Sequence, residues 1–109
     1  MARSDRSEQI VVLVTIPPDR AAEMARTLVE ERLVACASII PGVRSIYSWK
    51  GEVCDDGESL MVLKTRAELF DALRERVVSL HPYEVAEVIA LPIVAGNPPY
   101  LGWLEESTR

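Results

Sequence analysis

Hydrophobic and polar positions change their period several times along the chain, and each change marks an element. Ile10 to Ile16 is an almost unbroken aliphatic and β-branched run, the pattern of a strand placed centrally in a sheet or covered on both faces. Ala21, Met24, Ala25, Leu28, Val29 and Leu33 then recur at helical spacing, with Arg20, Glu23, Arg26, Glu30 and Glu31 on other faces. Asp19, after Pro17-Pro18, is the residue available to cap that helix. From Ala35 to Trp49 the chain is rich in strand formers, with a kink at Pro41-Gly42 and a turn at Lys50-Gly51. The return arm reaches Thr65, and Asp55-Asp56-Gly57 predicts a bulge within it.

Thr65-Arg66-Ala67-Glu68 has the form of a capping box. It opens a second helix with Leu69, Phe70, Leu73, Val77 and Leu80 on its buried side and His81-Pro82 at its end. Val85 to Ile93 reads as a last strand. Asn97-Pro98 caps a short third helix that carries Tyr100, Leu101, Trp103 and Leu104.

The order βαββαβ plus a terminal helix predicts an α+β fold, a ferredoxin-like split sheet with a long central hairpin and an extra C-terminal helix. Both crossover helices fall on one face of such a sheet. The other face and the hairpin arms, with Ile39, Ile40, Ile46, Tyr47, Trp49 and Val62, need cover, and a second copy of the chain is the expected cover.

Composition narrows the partners. At 109 residues there is room for one core, so residues 10 to 109 are read as a single domain behind a flexible tail of residues 1 to 9. Twelve basic against 17 acidic residues give a net charge of -5, and the basic residues are scattered, which argues against nucleic acid. The run from Ile10 to Ile16 is too short for a membrane span or a signal core, so a cytoplasmic protein is expected. With the turn at Lys50-Gly51, Cys54 falls opposite Tyr47. Cys36 then lies roughly 35 Å away at about 3.3 Å per residue, and both cysteines are expected as thiols.

Four ordered blocks carry a resemblance. They are Glu-Arg-Leu-Val-Ala-Cys-Ala-Ser-Ile-Ile-Pro-Gly-Val-Arg-Ser-Ile-Tyr-Ser-Trp-Lys-Gly, then Leu-Lys-Thr, then His-Pro-Tyr-Glu-Val-Ala-Glu-Val-Ile-Ala-Leu-Pro, then Gly-Asn-Pro-Pro-Tyr-Leu-Gly-Trp-Leu. Together they resemble the CutA divalent-cation tolerance proteins over about residues 10 to 107. The resemblance implies a cytoplasmic homotrimer, similar in architecture to the PII signalling trimers, with copper binding and no established catalysis. In some members the metal is linked to a cysteine at the end of the first strand and to paired histidines at the end of the second helix. The matching positions here are Val14, Leu80 and His81, so His81 is the one candidate metal ligand retained.

The candidate chemistry gathers around His81, the only histidine. At a helix terminus its first reading is a C-cap on the last carbonyls, and its second a copper or other divalent-cation ligand, aided by Glu84 and Glu87. Glu87 and Lys64 each sit in an apolar strand pattern, which places them either in a mutual ion pair or in a ligand cleft. Tyr47 and Trp49 stand two apart on one hairpin face, as subunit contact or pocket wall. Tyr47, Trp49, Lys64, Glu84 and Glu87 are therefore the candidate cleft, with no organic cofactor implied.

Three function classes follow: a trimeric ion-tolerance protein with ligand clefts between subunits, a PII-like scaffold for a protein partner, and an enzyme using Cys36 and His81. The last lacks any motif for an oxyanion site and is set aside.

Overall fold

A computed structural model of the chain describes residues 8–109. Its elements are β1 (Gln9–Ile16), α1 (Pro18–Glu30), β2 (Cys36–Trp49), β3 (Glu52–Arg66), a short 3-10 turn (Ala67–Leu69), α2 (Phe70–Leu80), β4 (Ile89–Pro92) and α3 (Pro98–Glu106). The sheet runs β2-β3-β1-β4 with every neighbouring pair antiparallel. This is the split βαββαβ arrangement, with β1 in the centre as its composition predicts. Of the tail assigned to residues 1–9, residues 1–7 lie outside the described residues, and β1 already begins at Gln9.

Strand alternation divides the sheet into two unlike faces. Ile10, Val12, Val14 and Ile16 of β1, with Met61, Leu63 and Thr65 of β3, point to the helices and are buried. Ala21, Met24, Ala25 and Leu28 of α1 and Leu73 and Val77 of α2 close over them. Each large side chain so enclosed contributes about 1.5–3 kcal/mol. The opposite face carries Val11 and Leu13 of β1, Leu60 and Val62 of β3, Ile40 of β2, and Ile89 and Leu91 of β4. Helix α3 reaches it only at the Gln9–Arg66 end, where Gln9 bonds Glu105 and Arg66 bonds Thr108, and Ile40, Ile89 and Leu91 are about half exposed.

Helix α1 stops at Glu30, although apolar spacing continues to Leu33. The Leu33 amide donates to the Leu28 carbonyl and the Arg32 amide to Val29, a Schellman ending in which Arg32 takes φ 60 where glycine is usual. The Arg32 guanidinium is held by the carbonyls of Glu106 and Thr108. Nearby, the Arg76 guanidinium grips both carboxylate oxygens of Glu31 at 2.8–3.2 Å, ties α2 to the end of α1 and lowers the Glu31 carboxyl.

Several local expectations are corrected. Pro17, not Asp19, occupies the N-cap of α1; Asp19 lies within the first turn and makes no capping bond. The Thr65–Glu68 capping box does not form, because the buried Thr65 hydroxyl donates to the Leu33 carbonyl at 2.6 Å and a 3-10 turn precedes α2. The register shift falls on β2 between Ile40 and Val43, around Pro41-Gly42, and β3 passes straight through Asp55-Asp56-Gly57. The last strand is only Ile89–Pro92, since residues 85–88 are held away from β1 by the turn that precedes them. Asn97 is the N-cap of α3 by position, with no side-chain bond.

The turn itself is as expected. Lys50 and Gly51 take φ 52 and 81, the left-handed pair of a two-residue hairpin, and Tyr47 pairs with Cys54. Both cysteines are free.

Candidate functional site

The register of the hairpin builds one wall of the site. Pairs Tyr47–Cys54, Ser45–Asp56 and Val43–Glu58 put Tyr47, Ser45, Asp56 and Glu58 on the sheet face opposite the helices, and the Leu60–Thr15 pair carries that face onto β1. The chain leaving α2 builds the other wall. Between them lies a cleft of about 660 Å³ lined by Thr15, Ser45, Ile46, Tyr47, Trp49, Glu58, Pro82, Tyr83, Glu84, Val85 and Glu87.

His81 sets that second wall. Its Nδ1 accepts from the Tyr83 amide at 3.2 Å, so the proton resides on Nε2, which donates to the Thr15 carbonyl at 2.7 Å. The ring is buried and packs against Tyr83 with centroids 4.7 Å apart. Both nitrogens are thus committed to holding the turn. The C-cap reading is corrected in one respect: the His81 backbone amide, not the ring, reaches the last turn, at the Val77 carbonyl.

Tyr83, placed by this turn, extends its hydroxyl to Glu58 Oε2 at 2.7 Å. Burial first, then that hydrogen bond, pushes the Tyr83 phenol far up. On the facing wall the Tyr47 hydroxyl donates to Asp56 at 2.5 Å, and this bond, followed by burial, pushes its phenol up to about 12. Both tyrosines are therefore neutral donors at ordinary pH.

Of the candidate residues, the structure brings Tyr47, Trp49, Glu84 and Glu87 together on the cleft, with His81 behind its wall. Lys64 is elsewhere: it pairs across the sheet with Cys36, its Nζ 3.8 Å from the sulfur, and makes no ion pair with Glu87. Glu87 lies in a loop rather than a strand, which removes the reason for pairing it with Lys64. Tyr100 and Trp103 pack on each other at 5.4 Å and stay partly exposed, while Leu104 is the buried residue of α3. Glu58 and Tyr83 went unnoticed in the sequence. Glu58 is hidden in an acidic stretch, and only the hairpin register, which sets it on the face of Tyr47, reveals it.

A metal fits this arrangement poorly. Among the described residues no three His, Cys, Asp or Glu side chains are grouped to hold an ion, and the His81 lone pair is already taken. No helix among the described residues is long and apolar enough to cross a membrane.

A four-strand antiparallel split sheet, with α1 and α2 on one face and a hairpin-walled cleft on the other, defines a ferredoxin-like α+β protein. The chain belongs to the CutA1 divalent ion tolerance protein family, which matches residues 10–107. It is 54% identical over 99 residues to the divalent-cation tolerance protein CutA of Thermus thermophilus, an alignment covering 90% of this chain and 96% of that one. It is 55% identical over 97 residues to protein CutA of Mus musculus, covering 88% of this chain and 55% of the mouse protein. The chain thus spans little more than half of the mouse relative. The solved Thermus thermophilus structure superposes with a TM-score of 0.89 at 52% identity, covering 93% of this chain and 99% of that chain. A PII-like protein CutA from Nostoc does so with 0.87 at 36%, covering 92% and 97%.

Proposed function

We propose that this chain works as a cytoplasmic homotrimer of the PII-like kind, in which a small ligand in the cleft conveys the response to divalent cations. The observation that carries this reading is the uncovered apolar sheet face. Val11 and Leu13 form rows with Leu91 and Ile89 on one side, and Leu13 faces Val62 on the other. With Leu60 and Ile40 they make a continuous apolar surface across all four strands. Such a surface on a small domain marks a protein contact, and the family resemblance supplies the number three.

The cleft opens beside that face, so association sets its outer boundary. Copper or another divalent cation would act on such a protein indirectly, because His81 serves the wall of the cleft and offers no free nitrogen. A protein partner that reads the ligand state fits the same geometry. Leu91 is about half exposed within the chain, so Leu91→Glu costs the isolated fold little while placing a charge in the contact. Light scattering is expected to show the wild type at three times the chain mass and Leu91→Glu as single chains. An unchanged mass for the variant would remove the open face as the contact.

A further inference from the structure

Glu58 is 4% exposed, yet it lines the cleft. Its Oε2 is satisfied by Tyr83, while Oε1 receives no hydrogen bond and neither oxygen meets a lysine or arginine among the described residues. A carboxylate so enclosed calls for a cation or a further donor. Apart from Tyr83 nothing in the lining supplies one: the hydroxyls of Thr15 and Ser45 make no bond to Glu58, and beside Glu58, Glu84, Glu87, Tyr47, Trp49 and Tyr83 there is no basic side chain.

The rim already shows what such walls accept. The Lys50 ammonium stands 5.5 Å from the centre of the Trp49 ring and 3.6 Å from Glu84 Oε1, so an aromatic face and a carboxylate of the cleft hold the chain's own amine. Taking the cleft as the ligand site of the reading above, we propose that its ligand is a small organic cation, a primary or secondary amine. Its ammonium donates to the free oxygen of Glu58, and its alkyl portion lies against the aromatic side chains. Lys50 is the internal competitor at the rim.

The test uses the full chain at physiological salt with Trp103→Phe as background, so that fluorescence reports Trp49. The probes are spermidine, n-butylammonium, the neutral 1-pentanol and the anionic hexanoate. Both amines are expected to saturate the signal, with pentanol and hexanoate at least tenfold weaker. Glu58→Gln, which keeps an acceptor for Tyr83, is expected to weaken spermidine at least tenfold, and Lys50→Gln to strengthen it two- to threefold. Pentanol binding as well as the amines, or unchanged affinity in Glu58→Gln, would overturn the proposal. So would no response to any probe, which would leave a cation of a neighbouring copy as the partner of Glu58. The charge series on the unaltered cleft decides the matter even if Glu58→Gln fails to fold. Because every lining residue named here comes from one chain, a monomer that still selects amines would defeat the trimer reading and leave this one standing, and a trimer blind to charge would do the reverse.

Discussion

Tyr83 and Glu58, 25 residues apart, are joined by a 2.7 Å hydrogen bond that closes the loop after α2 onto the base of the hairpin. Glu58 has no other donor among the described residues, so the bond both satisfies a buried carboxylate and shapes the cleft. Tyr83→Phe leaves that carboxylate without a donor and is expected to lower stability by about 1–3 kcal/mol. Urea unfolding measures it, and a midpoint equal to that of the wild type would show that water serves Glu58 as well as Tyr83 does.

His81 is expected to matter for structure and hardly at all for metal. In His81→Ala the amide of Tyr83 loses its acceptor and the loop loses its tie to Thr15. Hydrogen exchange across residues 82–88 should quicken, while copper(II) affinity by calorimetry should change by less than about twofold, since no ligand set is lost. A tenfold drop in copper affinity would restore His81 as a ligand.

Alkaline pH should weaken the fold through the two phenols. Folded Tyr47 titrates near 12 because Asp56 holds its neutral form, whereas the unfolded phenol titrates near 10. Its contribution is whole below pH 10 and is lost as pH rises toward about 12, because the unfolded chain gives up its proton first. Tyr83 acts in the same direction. Stability measured across that window should fall steeply in the wild type and less steeply in Asp56→Ala. Equal slopes would contradict the role of the Asp56 bond.

Thr65 and Glu68 separate two accounts of how α2 begins. Thr65→Val is expected to cost about 1–3 kcal/mol, because the Leu33 carbonyl loses its buried donor. Glu68→Ala should stay within about 0.5 kcal/mol, as its exposed carboxylate meets, among the described residues, only Arg66. Similar losses in both would point to a capping box after all.

The fold was legible where a pattern has one physical cause. The order of elements, the central place of β1 and the turn at Lys50-Gly51 follow from strand formers, helical spacing and a residue pair that tolerates positive φ. Local signals failed where tertiary partners outbid them. Thr65 points inward because a carbonyl of the α1–β2 connection needs it, and Arg32 ends α1 because the C-terminal segment holds its side chain. Val85–Val88 looks like a strand, but the His81 turn carries it past the sheet.

The site was half legible. Tyr47, Trp49, Glu84 and Glu87 announced themselves as aromatic or charged residues in apolar surroundings, and they share the cleft. Glu58 carries no such contrast in its own stretch of sequence, and Lys64 lies six residues further along β3, beside Cys36. Only the register of β2 against β3 sorts these residues.

The uncovered sheet face, with the cleft beside it, is what the functional reading rests on. Sedimentation equilibrium of the wild type at micromolar concentration tests it most directly. The expected result is a single species of three times the 12.1 kDa chain. A stable species at the mass of one chain, with Ile89 and Leu91 still facing solvent, would contradict it.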